Sequence, residues 1–431
     1  MGVIYLNIIF WLTTFLFFNQ VLYKIIVKKD YFNISVYIAI GVHFPFILYL
    51  MNWSILIDPN ISVMVFYILS CLNIFIVISN ILIGGSINNF PFDFSIKRNK
   101  RVVFAVNCMY LLIVLLENYI GSGFLLPAIH GVDIHTYSAP ILSYFSESLY
   151  TMLIINFLYL YKSKDKSFLI WIIILTSIPL IGKSSRMIVL VSLVQLLSFG
   201  LFLYFNDKKY KKSKSSFLNS KRKKILVIAS LIFVVFFMVF LTEYRWGGYG
   251  QVQVSYSNSI GYTGPKIFED TLAVFYGYFP LSYNNLNLNI VNRSVEHNYI
   301  GLYTYKGLFF GLLRLHNIFD LNPYQPDVGK YFKTGSATVL TGFYDFYYDF
   351  GVLSFIPILT ATIIYYLIKK NVLKNRRSIF SYALYFLWVP LWLFMSFQNV
   401  IYDSTLIIRI IILYLLINYF FKIKRTTIEE V

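Results

Sequence analysis

The chain reads as an all-α, polytopic membrane protein with about eleven spans, and three observations carry that expectation. Apolar residues make up 58% of the 431 positions and charged residues only 13%, about half the share of a soluble domain. The apolar residues gather into runs of about 20, the length a helix needs to cross the hydrocarbon. The Lys and Arg residues fall in alternate intervals between those runs. This composition excludes a soluble enzyme, a disordered chain and a nucleic-acid-binding domain. The net charge of +18 is no counterargument, because cytoplasmic loops of membrane proteins collect Lys and Arg. Cys71 and Cys108 both lie inside apolar runs, so no disulfide framework is expected.

The expected spans run from Val3 to Tyr23, Tyr31 to Met51, Ile61 to Ile83, Val102 to Ile120, Pro140 to Leu160 and Phe168 to Ile181. They continue with Met187 to Phe205, Ile225 to Thr242, Tyr347 to Ile368, Ile379 to Phe397 and Leu406 to Phe421. The first lacks a basic leading region and is too long for a cleaved signal, so it is expected to stay in the mature chain. Of the 37 Lys and Arg residues, 27 follow odd-numbered spans, nine follow even-numbered ones and Arg409 lies inside a span. The positive-inside rule then puts the N-terminus outside and the C-terminus in the cytoplasm. The basic run from Lys208 to Lys224 is an orientation signal near anionic lipid on this reading, and no nucleic-acid partner is expected.

One outer interval stands apart. Residues 1–242 hold the first eight spans, 243–346 form a single large outer loop, and 347–431 hold the last three spans and the tail. A loop of that length in a compact protein usually carries function; the alternative is a folded outer cap without a catalytic role. Its seven basic and seven acidic residues balance, and it is rich in Tyr, Asn and Gly, side chains suited to stacking on and hydrogen-bonding to sugars. Two interrupted apolar stretches, Ile267 to Leu281 and Tyr299 to Phe319, read as amphipathic helices at the interface.

Basic residues on the outer side are few, so each is informative. Lys183 and Arg186 belong to the connection Gly182-Lys183-Ser184-Ser185-Arg186. A phosphate-loop reading of Gly-Lys-Ser fails, because Ser177 stands where the earlier glycine is required and no strand precedes it. Arg186 at the start of a helix reads instead as an anion site, with free N–H groups adding to its charge, or as an interfacial anchor. Arg245, Arg293 and Arg314 are the further candidates for a diphosphate, unless Glu243 and Glu296 hold the first two in salt bridges. For proton transfer the loop offers His316 and Glu296 as the candidate catalytic pair, with His297 as the other loop histidine. Glu117, Glu147 and Arg409 are ionisable groups inside spans and so are functional suspects, or internal ion-pair members.

The stretch Thr338-Val339-Leu340-Thr341-Gly342-Phe343-Tyr344-Asp345-Phe346-Tyr347-Tyr348-Asp349-Phe350-Gly351 resembles the signature of the Wzy-type oligosaccharide repeat-unit polymerases, the O-antigen and capsule polymerases. In that family a large outer loop ends in an Asp-Phe-Gly turn that enters a helix. Ser184-Ser185-Arg186 after Pro179 is similar to the family's small-Ser-Arg element. The motifs cover some thirty residues, while the layout of spans and late loop covers most of the chain. The resemblance implies a GT-C-like, metal-independent glycosyltransferase without cofactor at the outer face of a bacterial plasma membrane. Its donor and acceptor would be oligosaccharides on undecaprenyl diphosphate, and its partners a flippase and a chain-length regulator. An O-antigen ligase shares this layout. A lipid-linked oligosaccharide flippase would show short loops and a pseudo-repeat. A membrane acyltransferase would need an intramembrane histidine, and His43 stands in a sequence that suggests no site. Asp349 is expected to cap the start of the ninth span.

Overall fold

The computed structural model describes residues 2–87, 92–127, 140–183, 186–210, 256–292, 297–319, 321, 330, 332–333, 339–375 and 378–423. They form an all-α chain in which the only sheet among the described residues is a two-stranded ribbon. Among these residues five helices are long and apolar enough to cross a membrane: Tyr5–Val27, Val63–Ile83, Lys100–Ser122, Met187–Tyr210 and Phe355–Lys374. Four shorter apolar helices are Ile34–Leu50, Ser167–Pro179, Ile379–Phe394 and Thr405–Phe420. The expected fifth span is interrupted into Pro140–Ser146 and Leu149–Ser163, and the expected eighth lies outside the described residues. The expected ninth span also divides. Phe343–Phe350 is a helix of its own, Gly351 turns the chain at φ +52°, and the long helix begins at Phe355.

Polar caps set several helix starts. Side chains of Asn33, Ser62, Asn99 and Ser378 each accept a backbone N–H from the first turn of the helix that follows, which satisfies a donor that has no partner inside the helix.

The chain divides into two compact units, Met1–Ser86 with Ser220–Leu367 and Leu391–Ser404, and Ile87–Asn219 with Ile368–Pro390 and Thr405–Val431. In the first unit the second apolar helix is not regular. Ala39–His43 forms a π-helical turn between Ile34–Ile38 and Phe44–Leu50. A β-carbon on Gly41 would collide with the backbone of Trp392 and Leu393, so the glycine permits a close approach there. The carbonyls at this turn are bonded from elsewhere. Ser396 Oγ donates to the Gly41 carbonyl at 2.5 Å, and Tyr283 Oη donates to the Val42 carbonyl at 3.1 Å. An apolar environment tolerates an irregular turn only when such groups find partners.

Helix Pro280–Asn292 is buried along residues 280–289 despite four asparagines. Asn284 and Asn287, one turn apart, spend both ends of their amides on the backbone of residues 56–62. Asn284 accepts from Asp58 N at 2.8 Å and donates to the Leu56 carbonyl at 3.0 Å. Asn287 accepts from Ser62 N at 2.7 Å and donates to the Asn60 carbonyl at 2.8 Å. Helix Glu269–Tyr278 packs Ala273, Val274 and Tyr276 against Leu48, Tyr256, Ile260 and Leu281, while Ile267 and Phe268 stand exposed.

In the second unit Asn107 and Asn156 exchange two amide hydrogen bonds of 2.8 Å between helices. Strand Phe94–Ile96 pairs antiparallel with Phe421–Ile423. Lys162 reaches Asp93 at 2.6 Å and Lys100 reaches Asp165 at 3.1 Å.

Candidate functional site

The aspartates of the Asp345-to-Gly351 turn sit one helical turn apart, so both face the same neighbour. That neighbour is the segment from His297 to Lys306, held by the hydrogen bonds and the ion pair that follow. Asp349 is fully buried and its carboxylate accepts from Asn298 Nδ2 at 2.6 Å, from Tyr303 N at 3.0 Å and from Thr304 N at 2.5 Å. Its backbone carbonyl accepts from Tyr299 N at 3.0 Å. Asp345 accepts from Asn399 Nδ2 at 3.2 Å and meets Lys306 Nζ at 3.4 Å. Thr304 donates its hydroxyl to the Asp345 carbonyl at 3.1 Å, and the Thr304 carbonyl accepts from Asn399 at 2.8 Å.

Asp349 therefore ties down a loop rather than capping the helix that follows, which corrects the expected role. The reason is local: Gly351 breaks the helix two residues later, so the free N–H groups within reach belong to 303 and 304. Asp349 precedes the long helix Phe355–Lys374. Burial pushes its carboxyl above the usual value, and the donors of Thr304, Asn298 and Tyr303 pull against that.

His297 closes the arrangement. Its Nδ1 lies 3.1 Å from the Tyr348 carbonyl, and its ring meets Tyr347 and Tyr299 edge to face. A carbonyl can only accept, so Nδ1 carries the proton and Nε2 of the neutral ring holds the lone pair. A half-buried imidazole fixed in this tautomer is equipped to take a proton from a hydroxyl. Lys306, half exposed, and exposed Arg314 supply positive charge on the same segment.

Of the residues picked from sequence, Arg314 is exposed with φ +50° and makes no ion pair among the described residues. Arg186 does begin a helix, Arg186–Tyr210, and Lys183 ends the one before it. At these two and at His316 the side chains lie outside the described part of the structure, and Arg245, Arg293 and Glu296 lie outside the described residues altogether. Among the intramembrane suspects, Glu117 and Arg409 are buried. Ser143 Oγ donates to Glu117 at 2.7 Å, and the Tyr110 hydroxyl lies in the fields of Arg409, Glu117 and Glu147.

The expected sugar-facing surface of Tyr and Asn is corrected for much of residues 256–289. Tyr256, Tyr276, Tyr283, Asn284, Asn285, Asn287 and Asn289 are buried. Asn amides suit backbone groups as well as they suit hydroxyls, which composition alone does not reveal. The clamp on His297 was the other missed feature. Its sequence signal is the pair Asp345 and Asp349 at helical spacing, beside a loop that contains the His-Asn pair His297-Asn298.

No family model matches the chain, and searches of curated proteins and of solved structures find no match.

Proposed function

We propose that the protein polymerises lipid-linked oligosaccharide repeat units at the outer face of a bacterial plasma membrane. It acts as a metal-independent, GT-C-like glycosyltransferase with eleven spans, its N-terminus outside and its C-terminus in the cytoplasm. The observation that carries this reading is the imidazole of His297, locked in one tautomer on the Asp345-to-Gly351 turn that resembles the polymerase signature.

In the reaction an acceptor sugar hydroxyl gives its proton to His297 Nε2 while its oxygen bonds to the anomeric carbon of the donor glycan. The bond from that carbon to the diphosphate breaks, and undecaprenyl diphosphate leaves with the electron pair. The leaving group carries two to three negative charges, so it requires cations. Arg186, Lys183, Arg245, Arg293 and Arg314 are the proposed set, with Glu296 and His316 as further members of the site.

The topology is supported by which loops meet. Phe94–Ile96 and Phe421–Ile423, paired in the ribbon, both belong to intervals that the charge pattern assigns to the cytoplasm. Residues 56–62 and helix Pro280–Asn292, joined by Asn284 and Asn287, both belong to intervals assigned outside.

The test is the surface glycan of a deletion strain. A polymerase leaves single repeat units where long chains stood. Loss of all glycan from the surface polymer, with repeat lipid accumulating outside, indicates a ligase. Repeat lipid trapped in the cytoplasm indicates a flippase. Complementation by His297→Ala that restores long chains would remove the imidazole from the chemistry.

A further inference from the structure

The turn beside His297 carries a strain that its own packing does not call for. Tyr299 stands at φ +54°, in the left-handed region where a bulky L side chain is a real outlier and where glycine or asparagine sits at ease. The backbone is pinned in that shape. Tyr299 N donates to the Asp349 carbonyl at 3.0 Å. Asn298 Nδ2 donates to Asp349 Oδ1 at 2.6 Å, and its Oδ1 accepts from Ile300 N at 2.9 Å and Gly301 N at 3.0 Å. Gly301, at φ +84°, closes the turn where a β-carbon would stand 2.6 Å from the Tyr305 ring and 3.1 Å from Phe350.

The side chain held at this cost is not a core residue. Tyr299 is 55% exposed, whereas Tyr256, Tyr276 and Tyr283 are fully buried. What the Tyr299 ring does meet is the imidazole of His297, edge to face with centroids 5.8 Å apart. A contact of that kind leaves at least one face of the phenol ring clear of the imidazole. Strain of this sort persists only where the surroundings over-determine it, and it gathers at functional sites.

We propose that Tyr299 is a binding residue for the acceptor, its ring face stacked on the C–H face of the sugar whose hydroxyl meets His297 Nε2. The inference rests on the reading of His297 as the base for an acceptor hydroxyl. The chemistry of the pair names the ligand class. An aromatic face attracts weakly positive C–H edges, and Nε2 of the neutral imidazole accepts from an O–H. A sugar ring offers both within one unit. A hydrocarbon tail has no O–H to give, and a phosphate has no C–H face. A tyrosine has few torsions to freeze, so a platform already pinned through Asp349 binds at little entropic cost. Tyr299 and Ile300, both exposed, also suit a lipid headgroup layer. An anchor needs exposure alone, however, and a neighbouring position supplies that without strain. A ring held in the left-handed region against an imidazole needs this position.

The test uses full-length protein in detergent. The probe is the oligosaccharide repeat unit of the host's surface glycan, freed from its lipid by mild acid. Magnetisation from the protein's saturated aromatic protons is expected to reach the C–H protons of one sugar of the probe. Tyr299→Asn, which suits the left-handed backbone, is expected to weaken binding roughly tenfold, with the unfolding temperature at or above the native value. Tyr299→Phe keeps the ring and is expected to restore binding. If Tyr299→Asn does not elute as the native protein does, Tyr299→Gly is read in its place. Native binding by the asparagine variant, or no transfer to the probe at all, overturns the proposal and leaves Tyr299 an interfacial anchor. Binding and unfolding temperature that fall together assign the ring to the fold and overturn it as well. Binding needs no turnover, so the two readings separate. Single repeat units in the deletion strain, beside binding that ignores Tyr299, keep the polymerase and remove this site. Native chain lengths in that strain, beside binding that depends on Tyr299, keep the sugar site and remove the polymerase.

Discussion

The imidazole of His297 lies so close over Gly351 that a β-carbon there would stand 2.5 Å from Nε2 and 2.7 Å from Cδ2. The glycine of the Asp-Phe-Gly turn is thereby explained twice. Its φ of +52° disfavours any L side chain, and its bare Cα makes room for the ring. Gly351→Ala should displace the imidazole, and a shift of about 1 Å in a catalytic group costs about a hundredfold in rate. Glycan chain-length ladders read beside membrane protein levels check this. Normal ladders from Gly351→Ala, with loss from His297→Ala, would show that the ring adapts and the glycine serves the backbone alone.

Asp349 is a framework residue with three N–H donors aimed at its carboxylate. Asp349→Asn would turn an amide NH₂ toward donors that need an acceptor, at a cost of about 1–3 kcal/mol. The expected outcome is a lower unfolding temperature in detergent, with activity falling in step with folded protein. Full stability joined to lost activity would move Asp349 into the reaction itself.

Arg186 begins its helix as the sequence implied, where the free N–H groups of the first turn favour an anion. Losing a strong transition-state donor costs about 3 kcal/mol. Arg186→Ala should abolish long chains with normal insertion, and Arg186→Lys should recover only part, because the planar fork is lost. Lys266→Ala, at an exposed loop cation, is the control and should match the native ladder. A native ladder from Arg186→Ala would make this arginine an anchor.

Asp165 lies outside the apolar helices. The N–H and hydroxyl of Ser167, with Lys100, hold its carboxyl down from 3.8 to about 2. A folded value below the unfolded one stabilises above the unfolded value, and the contribution is lost as pH falls from 3.8 through about 2. Thermal unfolding of Asp165→Asn should therefore differ from the native protein near neutral pH and converge with it in that acid window. A gap that stays constant with pH would assign the effect to packing.

Much of the helical layout was readable because hydropathy at helix length is a strong signal. Val63–Ile83 and Lys100–Ser122 lie within two residues of the runs read from sequence. The irregularities were only partly readable: Pro45, which denies the Gly41 carbonyl its donor four residues on, is local, but the groups that answer for it are distant. The π-helical turn at Ala39–His43 depends on Gly41 meeting the backbone of Leu393 and on Ser396. The break at Gly351 fell inside an apolar run that reads as continuous. The site was legible as a loop with a turn motif, but not as a clamp. Nothing in the spacing of His297 relative to Asp349 announces that the imidazole packs on the Asp345-to-Gly351 turn. His43 looked bare in sequence because its partner Asn73, itself bonded to Thr14, comes from another helix.

The π-helical turn also has a chronology. The hydroxyl that satisfies the Gly41 carbonyl lies 355 residues further along the chain. At about 5–20 residues per second, Ser396 leaves the ribosome roughly 20–70 s after Gly41. Through that interval the carbonyl has no such donor in an apolar medium, where an unmet backbone group is costly. A regular α-helix does not meet that carbonyl either, because the N–H four residues on would belong to Pro45, which has none. The late Ser396 hydroxyl thus supplies the hydrogen bond that Pro45 withholds from its own helix.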